Sequence, residues 1–107
     1  MKARYPNLKP VRVELQLDQI DSQGAPVVDM AADTARPMAF LQTKEPMWYG
    51  FVLNDESISR ISPGTTVNCT ISFINHAGAQ EAFGRGVTAP FGDGASMKGV
   101  LRFIGFD

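Results

Sequence analysis

The chain has 107 residues, 44% of them hydrophobic and 20% charged, and its formal net charge is -1. This composition is typical of one globular domain and differs from that of a disordered tail. A sequence pI of about 5.7 gives no sign of the basic character that many nucleic-acid binders show. It does not exclude a local patch of basic residues. We expect a single domain over residues 1–107, with residues 1–9 as a loosely ordered N-terminal arm.

The cysteine count and the N-terminal residues indicate the compartment. Cys69 is the only cysteine, so no internal disulfide can form, and small secreted domains often carry several. Lys2, Arg4 and two prolines stand where a signal peptide would need an apolar run. No stretch approaches the roughly 20 apolar residues of a membrane-spanning helix. We expect a cytoplasmic protein without membrane association.

Apolar and polar residues alternate with a period of two in several segments, which predicts β-strands. The alternation is strictest from Val11 to Leu17 and returns from Val67 to Phe73. Near the C-terminus both faces carry apolar residues, which predicts a strand that closes the core. The predicted strands, in chain order, cover residues 11–17, 38–43, 47–53, 67–73, 81–89 and 100–106.

The connections between these segments carry turn chemistry, and helix signals are scarce. Asn75-His76-Ala77-Gly78 and Gly92-Asp93-Gly94 are typical hairpin turns. Only residues 29–35 and 55–61 could form even one or two helical turns. About six strands without crossover helices predict an all-β, antiparallel fold, either a sandwich or a small closed barrel. Closure into a barrel would remove the exposed strand edges.

Four motifs, three of them with glycine, follow one another in a characteristic order. They are Gln23-Gly24-Ala25-Pro26 after the first strand, Arg36-Pro37 ahead of an apolar run that ends at Thr43, Pro63-Gly64-Thr65 ahead of a long strand, and Asp93-Gly94-Ala95 with Gly99 ahead of the last strand. This order resembles the third, C-terminal domain of translation elongation factor Tu. The resemblance implies a single small antiparallel six-stranded β-barrel and, from the role of the family barrel, contact with transfer RNA.

The chain departs from that family in two ways. It contains no Gly-x-x-x-x-Gly-Lys-Ser/Thr phosphate loop, so we expect no nucleotide hydrolysis. Ser96 stands where the family's last hairpin usually carries an Arg, and Thr65 replaces the aspartate of its Pro-Gly-Asp turn. Loss of the Arg removes a candidate phosphate contact.

Few residues have the setting that catalysis or metal binding would need. His76 is the only histidine and is interpreted as a solvated turn residue. One histidine and one cysteine are too few ligands for a zinc site, so we expect no metal, cofactor or catalytic residue. Cys69 shares the parity of the apolar face of its strand and is interpreted as a small buried hydrophobe. Asp55 and Glu56 are interpreted as solvated loop acids, with Asp55 capping a short turn.

Residues 47–51 form the densest aromatic cluster, and Trp and Tyr often anchor binding surfaces. Alternation places Trp48 and Tyr49 on opposite faces, so one of them is expected to be partly exposed. We predict a non-catalytic, elongation-factor-like interaction module that binds a protein partner, with Trp48 and Tyr49 as contact residues. A homodimer through an exposed aromatic patch is also open.

Two alternative functions require particular arrangements of side chains. A translation-associated RNA-binding domain would place Lys44, Arg85 and Lys98 against phosphates, which requires that these side chains form one patch. A small enzyme would use His76 with Asp55, Glu56 or Asp93, which requires a pocket at His76 and one of these carboxylates within hydrogen-bonding reach.

Overall fold

Six strands close into an antiparallel barrel in the computed structural model, which describes residues 3–105. The strand order around the barrel is β1-β6-β4-β3-β7-β8, and β8 pairs with β1 to complete it. β2 and β5 form a separate two-stranded ladder. The strands of the described chain are β1 Val11–Leu17, β2 Met30–Ala31, β3 Met38–Leu41, β4 Met47–Leu53, β5 Arg60–Ile61, β6 Thr66–Phe73, β7 Thr88–Gly92 and β8 Met97–Gly105.

The core fills the barrel with the inward residues of each strand. Val13 on β1 lies opposite Cys69 of β6 and Phe103 of β8, and all three side chains are buried. The rings of Phe51 and Phe73 contact edge to face, with their centroids 5.7 Å apart. Burial of each such side chain contributes roughly 1.5–3 kcal/mol. The period of two in the sequence therefore corresponds to alternation between the core and the outer wall.

The prediction of a small six-stranded antiparallel β-barrel is confirmed. The strands at 11–17 and 47–53 have their predicted bounds, and the strand at 67–73 begins one residue earlier. The strand predicted at 38–43 ends at Leu41, and the last strand begins at Met97. Phe106, the predicted end of that last strand, lies outside the described residues.

The strand predicted at 81–89 is wrong over most of its length. Asn75 caps a short helix, α1 (His76–Ala79), by accepting a hydrogen bond from the Gly78 N–H at 3.1 Å, and a 3-10 turn over Gln80–Ala82 follows. Gly86 then adopts a φ of 80°, a left-handed conformation that residues other than glycine rarely adopt and that an extended strand does not contain. β7 begins after it, at Thr88.

The two segments in which one or two helical turns are possible each contain one hydrogen-bonded turn and one short strand, and neither forms a helix. The Ala35 N–H donates to Ala31 O at 2.8 Å, and the Ile58 N–H donates to Asp55 O at 3.1 Å. Pairing of Met30 with Ile61 then joins the two segments. They lie together at the end of the barrel where β1 ends. Among residues 3–105, no helix has the length and apolar character to cross a membrane.

Close backbone approach explains a glycine in β8. A Cβ at Gly99 would collide with the Gln16 carbonyl oxygen on β1 and would lie 2.7 Å from the Phe91 ring. Gly99 is therefore required where β8 passes between its two neighbouring strands.

Candidate binding surface

The outer side of β3 and β4 carries apolar side chains. Met38 and Phe40 on β3 point away from the core and are half-buried, as is Trp48 on β4. Phe40 and Trp48 are cross-strand partners, and their rings meet edge to face with centroids 5.5 Å apart. Such a pair is worth about 0.5–1.5 kcal/mol beyond the area that it buries.

Gly50 opens a notch beside this aromatic pair. It is the cross-strand partner of Met38, and its carbonyl oxygen accepts a hydrogen bond from the Ile74 N–H at 3.0 Å. A Cβ at Gly50 would meet Ile74 Cγ1 at 4.0 Å and no other described atom within that distance beyond its chain neighbours. Ile74 is 63% exposed. We call Met38, Phe40, Trp48, Gly50 and Ile74 the β3–β4 wall patch.

Tyr49 lies on the other face of the same strand. Its side chain is buried in the core, and its hydroxyl donates to Thr43 Oγ1 at 3.2 Å. Thr43 in turn donates to the Glu45 carbonyl oxygen at 2.8 Å, so Tyr49 braces the turn between β3 and β4. Of the two aromatic residues predicted as contact residues, Trp48 has a partly solvent-exposed ring, whereas Tyr49 is buried.

The wall next to this patch is covered by the chain itself. Ser72 on β6 points outward and yet is fully buried, because Asn54 lies over it and donates to its Oγ at 2.8 Å. Asn54 also donates to the Tyr5 carbonyl oxygen at 3.1 Å and accepts from the Tyr5 N–H at 2.6 Å. Arg4 donates to the carbonyl oxygens of Asp55 and Ile58, at 3.3 and 3.0 Å. These contacts hold residues 4–5 against the barrel.

The three lysine and arginine side chains proposed to contact RNA do not form one patch. Lys44 lies where β3 ends, and its N–H donates to Glu81 Oε1 at 3.1 Å. Arg85 lies at the same end of the barrel, because the N–H of the next residue donates to Phe103 O at 2.9 Å. Lys98 is five residues from Phe103 along β8, about 16 Å at the rise of a strand. It lies at the opposite end, where Asp93 approaches its ammonium at 3.6 Å.

The setting of His76 differs from the solvated turn that the sequence suggested. It is the first residue of α1 and is half-buried, with its ring centroid 5.3 Å from that of Phe83. Its Nδ1 is buried and has no hydrogen-bond partner among the described residues. His76 lines neither of the two pockets described for residues 3–105.

Asp55 is buried, so its interpretation as a solvated acid is wrong, whereas Glu56 is exposed as predicted. The capping role of Asp55 is confirmed, because its Oδ1 accepts hydrogen bonds from the N–H and the hydroxyl of Ser57, at 3.0 and 2.6 Å. Cys69 is a buried core residue as predicted. Burial, assisted by the Asp55 charge, raises the pKa of its thiol to about 12.

A pocket of about 260 Å³, which the sequence did not reveal, lies at the barrel end where β1 ends and β8 begins. Its floor includes the core side chains of Leu17 and Phe91, and the segment at 27–37 forms its outer side. Arg36 and Lys98 contribute its cations. The signal in the sequence was the apolar pair Val27-Val28 inside a turn-rich segment, but its position over the barrel end depends on the β2–β5 pairing.

No protein-family model matches the chain, and no curated protein is significantly similar to it in sequence. The closed six-stranded antiparallel barrel is the architecture that the resemblance to the third domain of elongation factor Tu implies. These comparisons give no support to membership of that family.

Proposed function

We propose that this barrel is a non-catalytic, cytoplasmic interaction module, an elongation-factor-like domain that binds a protein partner through the β3–β4 wall patch. The observation that carries the proposal is the outward Phe40–Trp48 pair beside the Gly50 notch. Tryptophan is enriched among the residues that dominate binding energy, especially where a neighbouring recess receives a side chain of the partner.

The chemistry of the patch favours a partner with an apolar contact surface. The patch residues carry no charged group, and Ile74 exposes most of its side chain. A partner side chain placed in the notch would contact Met38, Trp48 and Ile74 together. Burial of apolar area at roughly 25 cal/mol per Å² would then contribute to the binding free energy.

The RNA-binding alternative has weaker support. Lys98 lies at the other end of the barrel from Lys44 and Arg85, and Asp93 compensates its charge. Phosphate recognition depends on several cations acting along one surface. The following experiment nevertheless reads out bound RNA.

Affinity capture of the tagged protein from native lysate, followed by a binary titration with the purified partner, tests the proposal. Trp48→Ala and Gly50→Lys should each weaken the binary affinity, by about thirtyfold for the tryptophan, which corresponds to a truncation cost of about 2 kcal/mol. Val100→Lys is the matched control, because Val100 is an exposed residue on a different strand. A partner that both patch variants retain would overturn the proposal, as would salt-sensitive capture of RNA alone.

A further inference from the structure

We propose that the 260 Å³ pocket at the barrel end is a second binding site, which takes a small amphipathic monocarboxylate. The apolar body of the ligand would fill the pocket, and its carboxylate would pair with Arg36. This site is separate from the β3–β4 wall patch, and its occupant is a small molecule rather than a protein.

The pocket is preformed, because its outer segment is fixed at both ends. The Val27 N–H donates to Gln19 O at 2.9 Å, and at the other end the Phe51 N–H donates to Pro37 O at 3.0 Å. Between these points, Met30 pairs with Ile61. Pockets that bind small ligands are usually preformed, mostly apolar and furnished with a few polar groups. Leu17, Val27, Met30, Pro37 and Phe91 belong to the apolar lining.

In the described part of the chain, three of the four charged side chains that line the pocket have an ion-pair partner. Asp29 is paired with Arg60 at 3.4 Å, and Asp93 is paired with Lys98 at 3.6 Å. Asp93 also accepts hydrogen bonds from the N–H groups of Ala95 and Ser96, both at 2.9 Å. The hydrogen bond from Ser96, followed by that from Ala95 and the charge of Lys98, holds the pKa of Asp93 below its ordinary value. Asp93 is therefore ionised at neutral pH.

Arg36 is the lining cation that lacks an acidic partner within residues 3–105. Its one described side-chain hydrogen bond goes from Nη1 to the neighbouring Ala35 carbonyl oxygen, at 2.7 Å. Guanidinium groups bind carboxylates through paired N–H donors. An apolar pocket with one exposed, uncompensated arginine in its lining complements a ligand with an apolar body and a single anionic head.

The volume limits the size of that ligand. An apolar cavity of about 150 Å³ holds benzene, with its six carbon atoms, so 260 Å³ accommodates about ten non-hydrogen atoms. Octanoate has that size and the required chemistry, and it serves as the probe. Octan-1-ol has the same chain without the charge, and octylamine reverses the charge.

Titration of the purified protein with octanoate, followed by amide chemical shifts in NMR, tests the site. The amides around Val27, Met30 and Phe91 should shift, and octanol and octylamine should bind more weakly. Arg36→Gln should weaken octanoate binding by about threefold to tenfold, since a partly solvated charge-assisted hydrogen bond is lost. Arg36→Lys should recover part of the affinity, and Arg85→Gln, at the other barrel end, should change nothing.

A second variant tests the site while Arg36 stays in place. Val28 is 74% exposed, so Val28→Glu should leave the fold intact while it adds a carboxylate that competes for Arg36. It should weaken octanoate binding at least as much as Arg36→Gln does. Absence of shifts at these amides up to about 10 mM octanoate would overturn the proposal. Equal binding of octanoate and octanol, or unchanged binding by Arg36→Gln and Val28→Glu, would also overturn it.

Discussion

Two neighbouring parts of the outer wall differ in what covers them. On β6 the outward side chains Thr70 and Ser72 are polar but buried, and Asn54 with residues 4–5 lies over this side. On β3 and β4 the outward side chains are apolar, and Phe40 and Trp48 keep part of their surface in solvent. Polar side chains such as Ser72 are stable in water and have no hydrophobic reason to be buried. Residues 4–5 and Asn54 therefore lie over this side of β6 because of specific hydrogen bonds. On the apolar side formed by β3 and β4, a partner that excludes water would bury apolar surface, which favours binding.

The largest loss of stability among the variants of these two regions is expected at Asn54, which attaches residues 4–5 to the outer side of β6. Asn54→Ala should lower the free energy of unfolding by about 3 kcal/mol, because it leaves the backbone groups of Tyr5 and the Ser72 hydroxyl without this partner. Urea denaturation measures the change. Asn7 is exposed and lies two residues after Tyr5, so Asn7→Ala should leave the free energy of unfolding unchanged. A loss below about 0.5 kcal/mol for Asn54→Ala would mean that the cover contributes little.

A smaller effect is expected at the other attachment of residues 4–5. Arg4→Ala should lower the free energy of unfolding by about 1 kcal/mol, because two hydrogen bonds from its guanidinium to the loop carbonyls are lost. Hydrogen exchange at the Tyr5 amide should accelerate together with this change. Unchanged exchange in Arg4→Ala would show that Asn54 alone holds the segment.

The cysteine behind the covered wall makes stability depend on pH. Burial raises the pKa of Cys69 from 9.0 to about 12, so the folded chain keeps its thiol proton where the unfolded chain loses it. Its stabilising contribution is therefore complete below pH 9 and decreases as the pH rises toward 12. Between pH 8 and 10 the wild type should lose about 1 kcal/mol more than Cys69→Ala does, measured by urea denaturation. Parallel pH profiles would contradict this, and so would rapid thiol labelling of the native protein at pH 8.

The smallest effect is expected in the uncovered notch. Gly50→Thr should raise the free energy of unfolding by about 0.5 kcal/mol, because a β-branched residue suits a strand and a Cβ there meets only Ile74. Thermal denaturation measures the shift. Gly99→Ala is the contrast, since its Cβ would collide with the Gln16 carbonyl oxygen and prevent the native pairing. Destabilisation by Gly50→Thr would show that the notch is already filled.

The parts of the fold that the sequence predicted are those in which one period dominates. Val11–Leu17 alternates without interruption, so both its bounds and its inward face were readable. The strand predicted at 81–89 is wrong because local turn chemistry outweighs the composition of that segment. The Asn75 cap and the positive φ of Gly86 produce a short helix and a loop there. Two-residue strands such as β2 and β5 are too short to show a period.

The candidate surfaces were predictable only where a single strand determines them. Parity alone separates Trp48 from Tyr49, and the structure adds which of the two faces is the core. The positions of Lys44, Arg85 and Lys98 depend on strand order and register, which link distant parts of the chain. The pocket near Arg36 depends on residues 27–37 folding back over the barrel end, and no local pattern encodes that contact.

The pairing of β1 with β8 has a consequence for how quickly the barrel assembles. Val13 and Phe103, which face each other across this seam, are about 90 residues apart in the chain. The β3–β4 and β7–β8 hairpins join nearby residues and can form within microseconds, whereas closure of so long a loop carries a larger entropic cost. We expect closure of the β1–β8 seam to be the slow step, and during synthesis it must wait until β8 has left the ribosome.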